Sequence, residues 1–462
     1  MSPELLTSLT WAVSMGLVGA VVFAAIGLVS GTDETATVAP LTLLVVLLGV
    51  PASGVFTFFL AGVVAKHITH MIPTTLLGIP GDTMAVPLMR EAQLLRELGV
   101  PHIALRKAVS GGIIAAFIAV PFAIMFATLL APAADAIGKA APWIFLVVAA
   151  VIAYTSKGRW AAVAALVPFV LVIAGLQAFL TANTGKGLSI SFFLGIAVGP
   201  LIADLFSTLS PSNRRLMSRS EPRQFSLAPD VRTWKGRIPN PFMVLDRRQL
   251  AYTSGAAVIS SATFVFSPVA MTVLMGELVG SRVKKGYHRL TTVIAARNGT
   301  TESTYIAETL IPLIALGLPL SPLAAGPAAP LFNAPPVYSV NAETGDTHNL
   351  HNLLSTWEFL GFGLLAVAIA GLVAYPFAMT SAHRAASWVM RKLSHEAIIG
   401  AFVGLIIVIC LYEGGLLALA VTVTVGLFGG LLNRAFQVHS GVQFMGFYVA
   451  VLSVPQLIAL AN

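Results

Sequence analysis

Four ionisable side chains fall together in an otherwise apolar stretch of this 462-residue chain. Lys66, His67 and His70 come first, and Asp82 follows an Ile-Pro-Gly sequence. Ionisable groups are costly in a membrane, so those that occur there are usually functional. Lys66 is the candidate contact for an anionic group. Asp82 is predicted to be either the N-cap of a following helix or a carrier of a coupling ion or proton.

The two histidines are three residues apart and would share one face of a helix, a spacing that can hold zinc. The Glu of a His-Glu-x-x-His motif is missing, so a metalloprotease has little support. A structural or interfacial role is the commoner one for such histidines, and a proton relay stays open. We therefore predict no metal site, and an intramembrane metalloenzyme using His67 and His70 remains the less favoured alternative.

A second group lies in the C-terminal half, where Glu302 is followed by Ser303 and Thr304, and then by Glu308. These residues would suit an unwound segment that coordinates a cation through backbone carbonyls and hydroxyls. The simpler alternative is a turn over residues 298–302 with a capped helix start. Glu308 lies inside an apolar segment, where a carboxylate needs a partner or a proton.

A third acidic group, Asp33 and Glu34, separates the first apolar run from the next. An external loop is the simpler interpretation and the one we favour. If the segment instead dips inward, both carboxylates would join the coupling site.

Two short repeats identify the elements that must position these groups. Residues 72–80 and 311–319 both read Ile-Pro, four residues, Gly, an aliphatic residue and Pro, inside sequence that otherwise favours helix. Proline removes a backbone donor, so each copy predicts a broken or re-entrant helix, near 71–88 and 303–331. A half-helix starting after Gly81 would direct free N–H groups at an anion, with Thr83 as a cap or ligand. Interrupted segments at matching places in two halves indicate a transporter's binding site.

The composition places these elements in a membrane. Hydrophobic residues make up 57% of the chain and charged residues 10%, far below the roughly 25% of a soluble domain. The net charge of +8 lies in short loops between apolar runs, as in cytoplasmic loops, which makes nucleic-acid binding improbable. We predict an all-α polytopic membrane protein of about ten to twelve spans with two internally repeated halves. The predicted division is a first half over 1–206, a basic cytoplasmic loop over 207–249 and a second half over 250–462.

Two further features narrow the function. No Walker loop and no dinucleotide motif occurs, so transport would be driven by an ion gradient. The one cysteine, Cys410, lies in an apolar run, which excludes an intramolecular disulfide and predicts a packing role.

The repeats resemble those of the large membrane subunit of the tripartite tricarboxylate transporter family. Residues 76–82 read Leu-Leu-Gly-Ile-Pro-Gly-Asp, and residues 307–319 read Ala-Glu-Thr-Leu-Ile-Pro-Leu-Ile-Ala-Leu-Gly-Leu-Pro. The resemblance implies a secondary transporter for organic anions, energised by sodium or protons. It also implies a periplasmic solute-binding protein that delivers the substrate and a small membrane subunit that accompanies the permease.

The chain departs from the family pattern around these motifs. Residues 31–40 replace the Pro-Gly-Leu-Gly-Pro element of the family, and residues 66–73 replace its Tyr-Gly-Gly-Ser-Thr-Thr approach. Residues 303–305 replace Asn-Asn, and Leu320 replaces the last glycine of the family's Pro-Gly. The sequence therefore indicates that the chain shares the scaffold of the family but has different residues around the substrate site.

We expect the substrate between the two broken segments, in the cytoplasmic membrane, with alternating access and no resident cofactor. The predicted substrate-binding residues are Lys66, Gly78, Pro80, Gly81, Thr83, Ser303, Thr304, Gly317, Pro319 and Ser321. The predicted carriers of the coupling ion or proton are Asp82, Glu302, Glu308, Asp33 and Glu34. Two further hypotheses stay open: a translocase of a lipid-linked phosphate or other amphiphile, and a subunit without transport activity.

Overall fold

The computed structural model describes residues 3–30, 32, 34–155, 158–184, 188–208, 211–212, 240–262, 268–284, 286–332, 349–392 and 395–461. Within them every regular element is helical, as predicted. The helices of eight or more residues are α1 (Pro3–Gly27), α2 (Glu34–Leu47), α3 (Ala52–Thr69), α4 (Met89–Glu97), α5 (Pro101–Leu130), α6 (Ala134–Thr155), α7 (Trp160–Thr184), α8 (Ser189–Thr208), α9 (Arg247–Ser261), α10 (Pro268–Arg282), α11 (Gly286–Leu316), α12 (Thr356–Lys392), α13 (His395–Phe436), α14 (Ser440–Tyr448) and α15 (Val454–Ala461).

Seven helical segments of the described chain are long and apolar enough to cross a membrane: Pro3–Gly27, Ala52–Leu77, Pro101–Tyr154, Trp160–Asn183, Thr356–Val389, Val403–Phe436 and Ser440–Ile458. The chain is therefore an all-α polytopic membrane protein. Length and composition do not separate crossings from re-entrant helices, so the count of ten to twelve spans stays a prediction. The division at 1–206, 207–249 and 250–462 also stays a prediction, and most of the basic central loop lies outside the described residues.

Two helices form the centre of the molecule, and small residues let their neighbours approach closely. Helix α3 is buried from Ser53 to Thr69 and packs against α1 and α12, while α11 packs against α5, α9 and α10. Gly19 lies against the backbone of Phe58, and Gly111 lies against that of Ala295. A Cβ at either glycine would overlap the opposing carbonyl, so glycine is required for these helix contacts.

The first broken segment forms where the sequence predicts it. After α3 the chain makes a π-helical turn over Pro73–Leu77 and then reaches Gly78, whose φ of 70° is left-handed. A 3-10 helix over Thr83–Leu88 follows, and α4 continues from it. The helix therefore stops within an apolar environment, as the proline and the glycine predict.

The second break also lies at its glycine, but the segment before it differs from the prediction. Gly317 has φ of 62°, and short helices over Pro322–Ala325 and Ala329–Phe332 follow it. Glu302 lies in the middle of the continuous helix α11, so both the unwound segment and the capped helix start at 298–302 are wrong. The hydroxyls there do not interrupt the helix, because they donate to carbonyls one turn back, as Ser303 does to Gly299 at 2.8 Å.

Helix α11 combines a polar sequence with complete burial from Thr291 to Ala315. It is not among the seven apolar segments, yet its charged residues Arg297, Glu302 and Glu308 are enclosed by protein. A helix that is buried on all sides and carries charges needs partners on its neighbours.

The segment around Glu34 corrects another prediction. Glu34 begins α2 and is only 4% exposed, so the favoured external loop is wrong for this residue, which lies buried as the inward alternative expected. Asp33 lies outside the described residues.

Candidate functional site

A buried cluster of ionisable side chains joins the first broken segment to α2 and α11. Lys66 and His67 come from the last turn of α3, and Glu34 is the first residue of α2. Asp82 follows the first break, and Glu302 comes from the middle of α11. Each of these five residues is at most 6% exposed. We call these residues, together with His70, the charged cluster.

Two carboxylates of the chain balance the positive charge of Lys66 inside the protein. Its Nζ lies 2.5 Å from Asp82 Oδ2 and 3.2 Å from Glu34 Oε1, and the side chain is fully buried. A buried ammonium needs such partners, because leaving a charge unpaired away from water is strongly unfavourable. The predicted anion contact is therefore occupied by carboxylates of the chain itself in this conformation.

Asp82 has the first of the roles that the sequence left open, the helix cap, and it also pairs with two side chains of the charged cluster. Its Oδ1 accepts hydrogen bonds from the backbone N–H of Met84 and Ala85, at 3.0 and 3.2 Å, and so caps the 3-10 helix. Its Oδ2 accepts from Lys66 and from His70 Nδ1, the latter at 2.9 Å. With four donors directed at it, Asp82 is held as a carboxylate. The N–H groups expected to face an anion are bound by Asp82.

His67 bridges the two broken helices. Its Nε2 lies 2.6 Å from Glu34 Oε1, and its Nδ1 lies 2.8 Å from Glu302 Oε2. The ring of Tyr305, also on α11, packs edge-on against the imidazole with a centroid distance of 4.9 Å. The sequence identified His67 only as a weak candidate, although it is the contact between α3 and α11.

The metal alternative can be tested on the same geometry. Glu34, His67 and Asp82 offer ligand atoms within 4.8 Å of one another. The Lys66 ammonium contacts both carboxylates, however, and a metal ion there would meet this fixed positive charge. Both ring nitrogens of His67 and Nδ1 of His70 are already directed at carboxylates, so the pair does not form the expected ligand set.

The other predicted residues of the first break contribute mainly backbone hydrogen bonds and close packing. Pro80 provides a carbonyl that accepts from Ser30 Oγ at 2.5 Å, and Gly81 donates from its N–H to Thr74 Oγ1 at 3.1 Å. Thr83 is exposed, and the cap that was attributed to it is provided by Asp82. Gly78 lies directly against the guanidinium of Arg96, which donates to the Leu77 carbonyl at 2.6 Å.

The predicted residues of the second half separate into two places. Ser303 contacts Ser260 of α9 at 2.5 Å between the two hydroxyl oxygens, while Thr304 Oγ1 is buried without a hydrogen-bond partner in the described chain. Gly317, Pro319 and Ser321 lie buried at the second break.

Ser321 caps the short helix that follows the second break. It accepts from the Ala324 N–H at 3.1 Å and donates to the Glu308 carbonyl at 3.1 Å. Ser321 therefore has the helix-capping role that Asp82 has at the first break, without a charge.

Glu308 differs from the other carboxylates. It is fully buried on α11, and neither carboxylate oxygen has a hydrogen-bond partner in the described part of the chain. The Leu323 N–H and the Ser321 side chain are its polar neighbours. A carboxylate in such surroundings is expected to hold a proton or a bound cation, because an isolated buried charge is very unfavourable.

Two residues that were not predicted as site residues satisfy backbone carbonyls at the second break. Asn349 Nδ2 donates to the Gly317 carbonyl at 3.1 Å, and His351 Nδ1 donates to the Leu313 carbonyl at 3.1 Å. The only sequence signal for them is their polarity, since they lie 32 and 38 residues beyond their partners.

A second ion pair connects the segment after the first break to α11. Arg297 donates to the carboxylate of Glu91 on α4, to the Pro87 carbonyl at 2.6 Å and to Glu277 at 3.0 Å. Burial raises the pKa of the Glu91 carboxyl, and the Arg297 guanidinium opposes that rise. Two contacts, His67 with Glu302 and Arg297 with Glu91, thus fix α11 against the first broken segment.

The charged cluster combines groups that can bind protons with groups that can bind anions. Three carboxylates meet one ammonium and two imidazoles, so protonation of both imidazoles makes the cluster neutral, and their deprotonation leaves two negative charges. Such a set can replace one internal carboxylate by an external one, or gain and lose protons, inside a water-excluded site.

Comparison with known proteins gives one match. The family described as "Tripartite tricarboxylate transporter TctA family" matches residues 13–435, which include both breaks and the whole charged cluster. No curated protein and no solved structure matches the chain.

Proposed function

Because this chain belongs to the tripartite tricarboxylate transporter TctA family, we propose that it is the permease that moves an organic anion, such as a carboxylate, across the cytoplasmic membrane. The observation that carries this proposal is the contact between His67 of the first broken helix and Glu302 of α11, within a fully buried charged cluster. Buried charges are too costly to serve only as packing, and in membrane proteins they mark the path of substrate and ions.

The chemistry of Lys66 supports an anionic substrate. In the described conformation the ammonium is satisfied by the carboxylates of Asp82 and Glu34. A substrate carboxylate offers the same oxygen acceptors and the same charge, so it can replace one of them on Lys66 without leaving the ammonium unpaired. Substrate binding would then release an internal carboxylate from Lys66. The loss of this ion pair would favour a change of conformation.

The remaining carboxylates support coupling to a sodium or proton gradient. Glu34 and Glu302 contact His67, and Glu308 lies apart from the ion pairs of the described chain. Asp82 is saturated by donors and fits a structural anion better than an exchanging one. Glu302, Glu308 and Glu34 are the proposed coupling residues, together with Asp33, which precedes Glu34 in the chain.

Membership of the family also supports the predicted partner proteins. Its members work with a periplasmic binding protein and a small membrane subunit, and we extend both to this chain. We place the substrate between the breaks at Gly78 and Gly317, within halves at 1–206 and 250–462 that move against each other around the site.

Transport by purified protein tests the proposal. The protein would be reconstituted in proteoliposomes under an imposed sodium or proton gradient, and uptake of labelled citrate, succinate and glutarate would be measured with and without the small subunit and the binding protein. We expect uptake above that of empty liposomes. We also expect Lys66→Met to lower it at least tenfold, because the ammonium that receives the carboxylate is lost.

A matched control separates the charge of Lys66 from the loss of a lysine elsewhere. Lys139 lies exposed on α6, so Lys139→Met should leave uptake within twofold of the unmodified protein. The proposal is wrong for carboxylates if the unmodified protein transports none of them with its partners present. Movement of a fluorescent polyprenyl phosphate between leaflets in the same vesicles would then favour the lipid-linked alternative.

A further inference from the structure

The contacts of His67 fix the number of protons in its surroundings. Its two ring nitrogens lie 2.6 Å from Glu34 Oε1 and 2.8 Å from Glu302 Oε2, both within hydrogen-bond distance. Each contact needs one hydrogen between nitrogen and oxygen, and a neutral imidazole carries only one N–H. The second hydrogen must come from an imidazolium or from a carboxylic acid. Either way, these three residues hold one proton more than a neutral imidazole with two carboxylates.

The neighbouring charges place this extra proton between His67 and Glu302. Glu34 Oε1 also accepts from Lys66 at 3.2 Å, and this second positive partner keeps Glu34 in its carboxylate form. Each glutamate has one buried oxygen without a hydrogen bond in the described chain, Oε2 of Glu34 and Oε1 of Glu302, but Glu302 has no second positive partner there. The proton is thus shared between an imidazole on α3 and a carboxylate on α11.

The surroundings isolate this pair from water, and five other titratable side chains face it. His67 is 1% exposed and Glu302 is 2% exposed. Lys66 and His70 face the pair from the end of α3, Glu34 faces it from α2, Asp82 from the broken segment, and Tyr305 from α11. Lys66 and His70 both pair with Asp82, which leaves His67 as the imidazole that bridges to α11.

Loss of the proton would break the contact between the two helices. Without it, a ring nitrogen lone pair would face a carboxylate oxygen at 2.8 Å with no hydrogen between them, in a site from which water is excluded. Two acceptors repel at that distance, and an unsatisfied buried pair is strongly unfavourable. Proton occupancy and the approach of α11 to α3 are therefore linked.

We propose that the coupling ion of this transporter is a proton, and that it is bound between His67 and Glu302 at the contact of α3 with α11. This inference rests on the proposed transport function. Proton binding holds the two broken helices together around the site, and release of the proton to the other side lets them separate.

Proteoliposomes loaded with unlabelled citrate separate coupling from transport. The binding protein and the small subunit are included. Accumulation of labelled citrate is driven by a proton gradient or by a sodium gradient alone, and citrate exchange is measured with no ion gradient. We expect the unmodified protein to accumulate citrate with the proton gradient. Glu302→Gln places an amide that donates to His67 as the protonated acid would, so it should keep exchange within threefold and lose proton-driven accumulation at least tenfold.

Two control variants make the result specific to this pair. Glu97→Gln changes an exposed carboxylate on α4, and His288→Gln changes a partly exposed imidazole on α11, and both should accumulate citrate as the unmodified protein does. The inference is overturned if Glu302→Gln accumulates citrate like the unmodified protein. It is also overturned if accumulation follows only the sodium gradient, although the proposed function then stands. Absence of both exchange and accumulation in the unmodified protein overturns the proposed function itself.

The proton count can be measured without transport. In protein held in nanodiscs, ¹⁵N spectra of histidine and infrared difference spectra of Glu302→Gln report the protonation of the pair directly. We expect at pH 7.5 either one histidine with two N–H groups that disappears in His67→Gln, or a carboxylic acid band that disappears in Glu302→Gln. A neutral His67 beside two ionised glutamates would contradict the inference.

Discussion

The two broken segments have the same backbone conformation but differ in the charge of the side chains that stabilise it. In each, a helix ends at a left-handed glycine, with φ of 70° at Gly78 and 62° at Gly317. Four residues after each glycine, a side chain caps the next short helix, Asp82 in the first segment and Ser321 in the second. A helix end leaves free carbonyl and N–H groups that need such partners when they are buried.

The difference between the segments lies in charge. At the first break, Arg96 satisfies a free carbonyl, and the cap Asp82 also pairs with Lys66 and His70. At the second break, Asn349 satisfies the carbonyl and the neutral Ser321 is the cap. The second segment shows that a break in this protein can be stabilised by neutral groups. The charges at the first break are therefore not required by the backbone, which supports their assignment to transport.

The largest difference is expected between Asp82→Asn and Ser321→Ala. The introduced asparagine can still cap the helix but leaves Lys66 short of an anion, and breaking a buried ion pair costs about 3–5 kcal/mol. Loss of the Ser321 cap should cost about 1 kcal/mol. Unfolding in mixed detergent micelles would give both free energies of unfolding.

A double variant checks the cause of that difference. Lys66→Met with Asp82→Asn removes both charges, and we expect it to be less destabilised than Asp82→Asn alone. If Asp82→Asn and Ser321→Ala were equally mild, the two segments would not differ in the energetic role of charge.

The carbonyl partners should show a smaller difference. Arg96→Ala removes a charged donor from the Leu77 carbonyl, which we expect to cost about 1.5–3 kcal/mol, and Asn349→Ala removes a neutral donor from Gly317, at about 0.5–1.5 kcal/mol. The same unfolding experiment measures both. Equal losses would mean that the guanidinium acts only as a hydrogen-bond donor, as the amide does.

The two glycines should show the same backbone cost, and Gly78→Ala should add the displacement of the Arg96 guanidinium that a Cβ there would overlap. Gly78→Ala and Gly317→Ala each force a left-handed conformation on an alanine, at about 1–2 kcal/mol. Gly361 lies exposed on α12 with no atom near its missing Cβ, so Gly361→Ala is the matched control and should not destabilise the protein. Thermal unfolding of the three variants compares their stabilities. A loss of stability at only one of the two glycines would mean that the two breaks do not share the same backbone requirement.

Much of the architecture was predictable from local sequence. Proline removes a donor and glycine permits positive φ wherever they occur, so the breaks at Gly78 and Gly317 follow from the repeat itself. The helix cap, one of the two roles left open for Asp82, is confirmed. A cap depends on the next three residues, which the sequence displays directly.

The errors arose where side chains from distant segments decide the outcome. Ser303 and its neighbours suggested unwinding, yet in a buried helix they bond to the preceding turn. Glu34 looked like part of a solvated loop, because nothing near it in the chain shows that Lys66 and His67 will receive its carboxylate.

The sequence by itself determined the membrane class, the family and the position of the two breaks. These properties depend on composition and on residues adjacent in the chain. Only the tertiary structure decided which charges meet, as when His67 reaches Glu302 across 235 residues of sequence. Electrostatic pairing depends on distance in space and on the exclusion of water, and the packing of α11 against the first broken segment sets both.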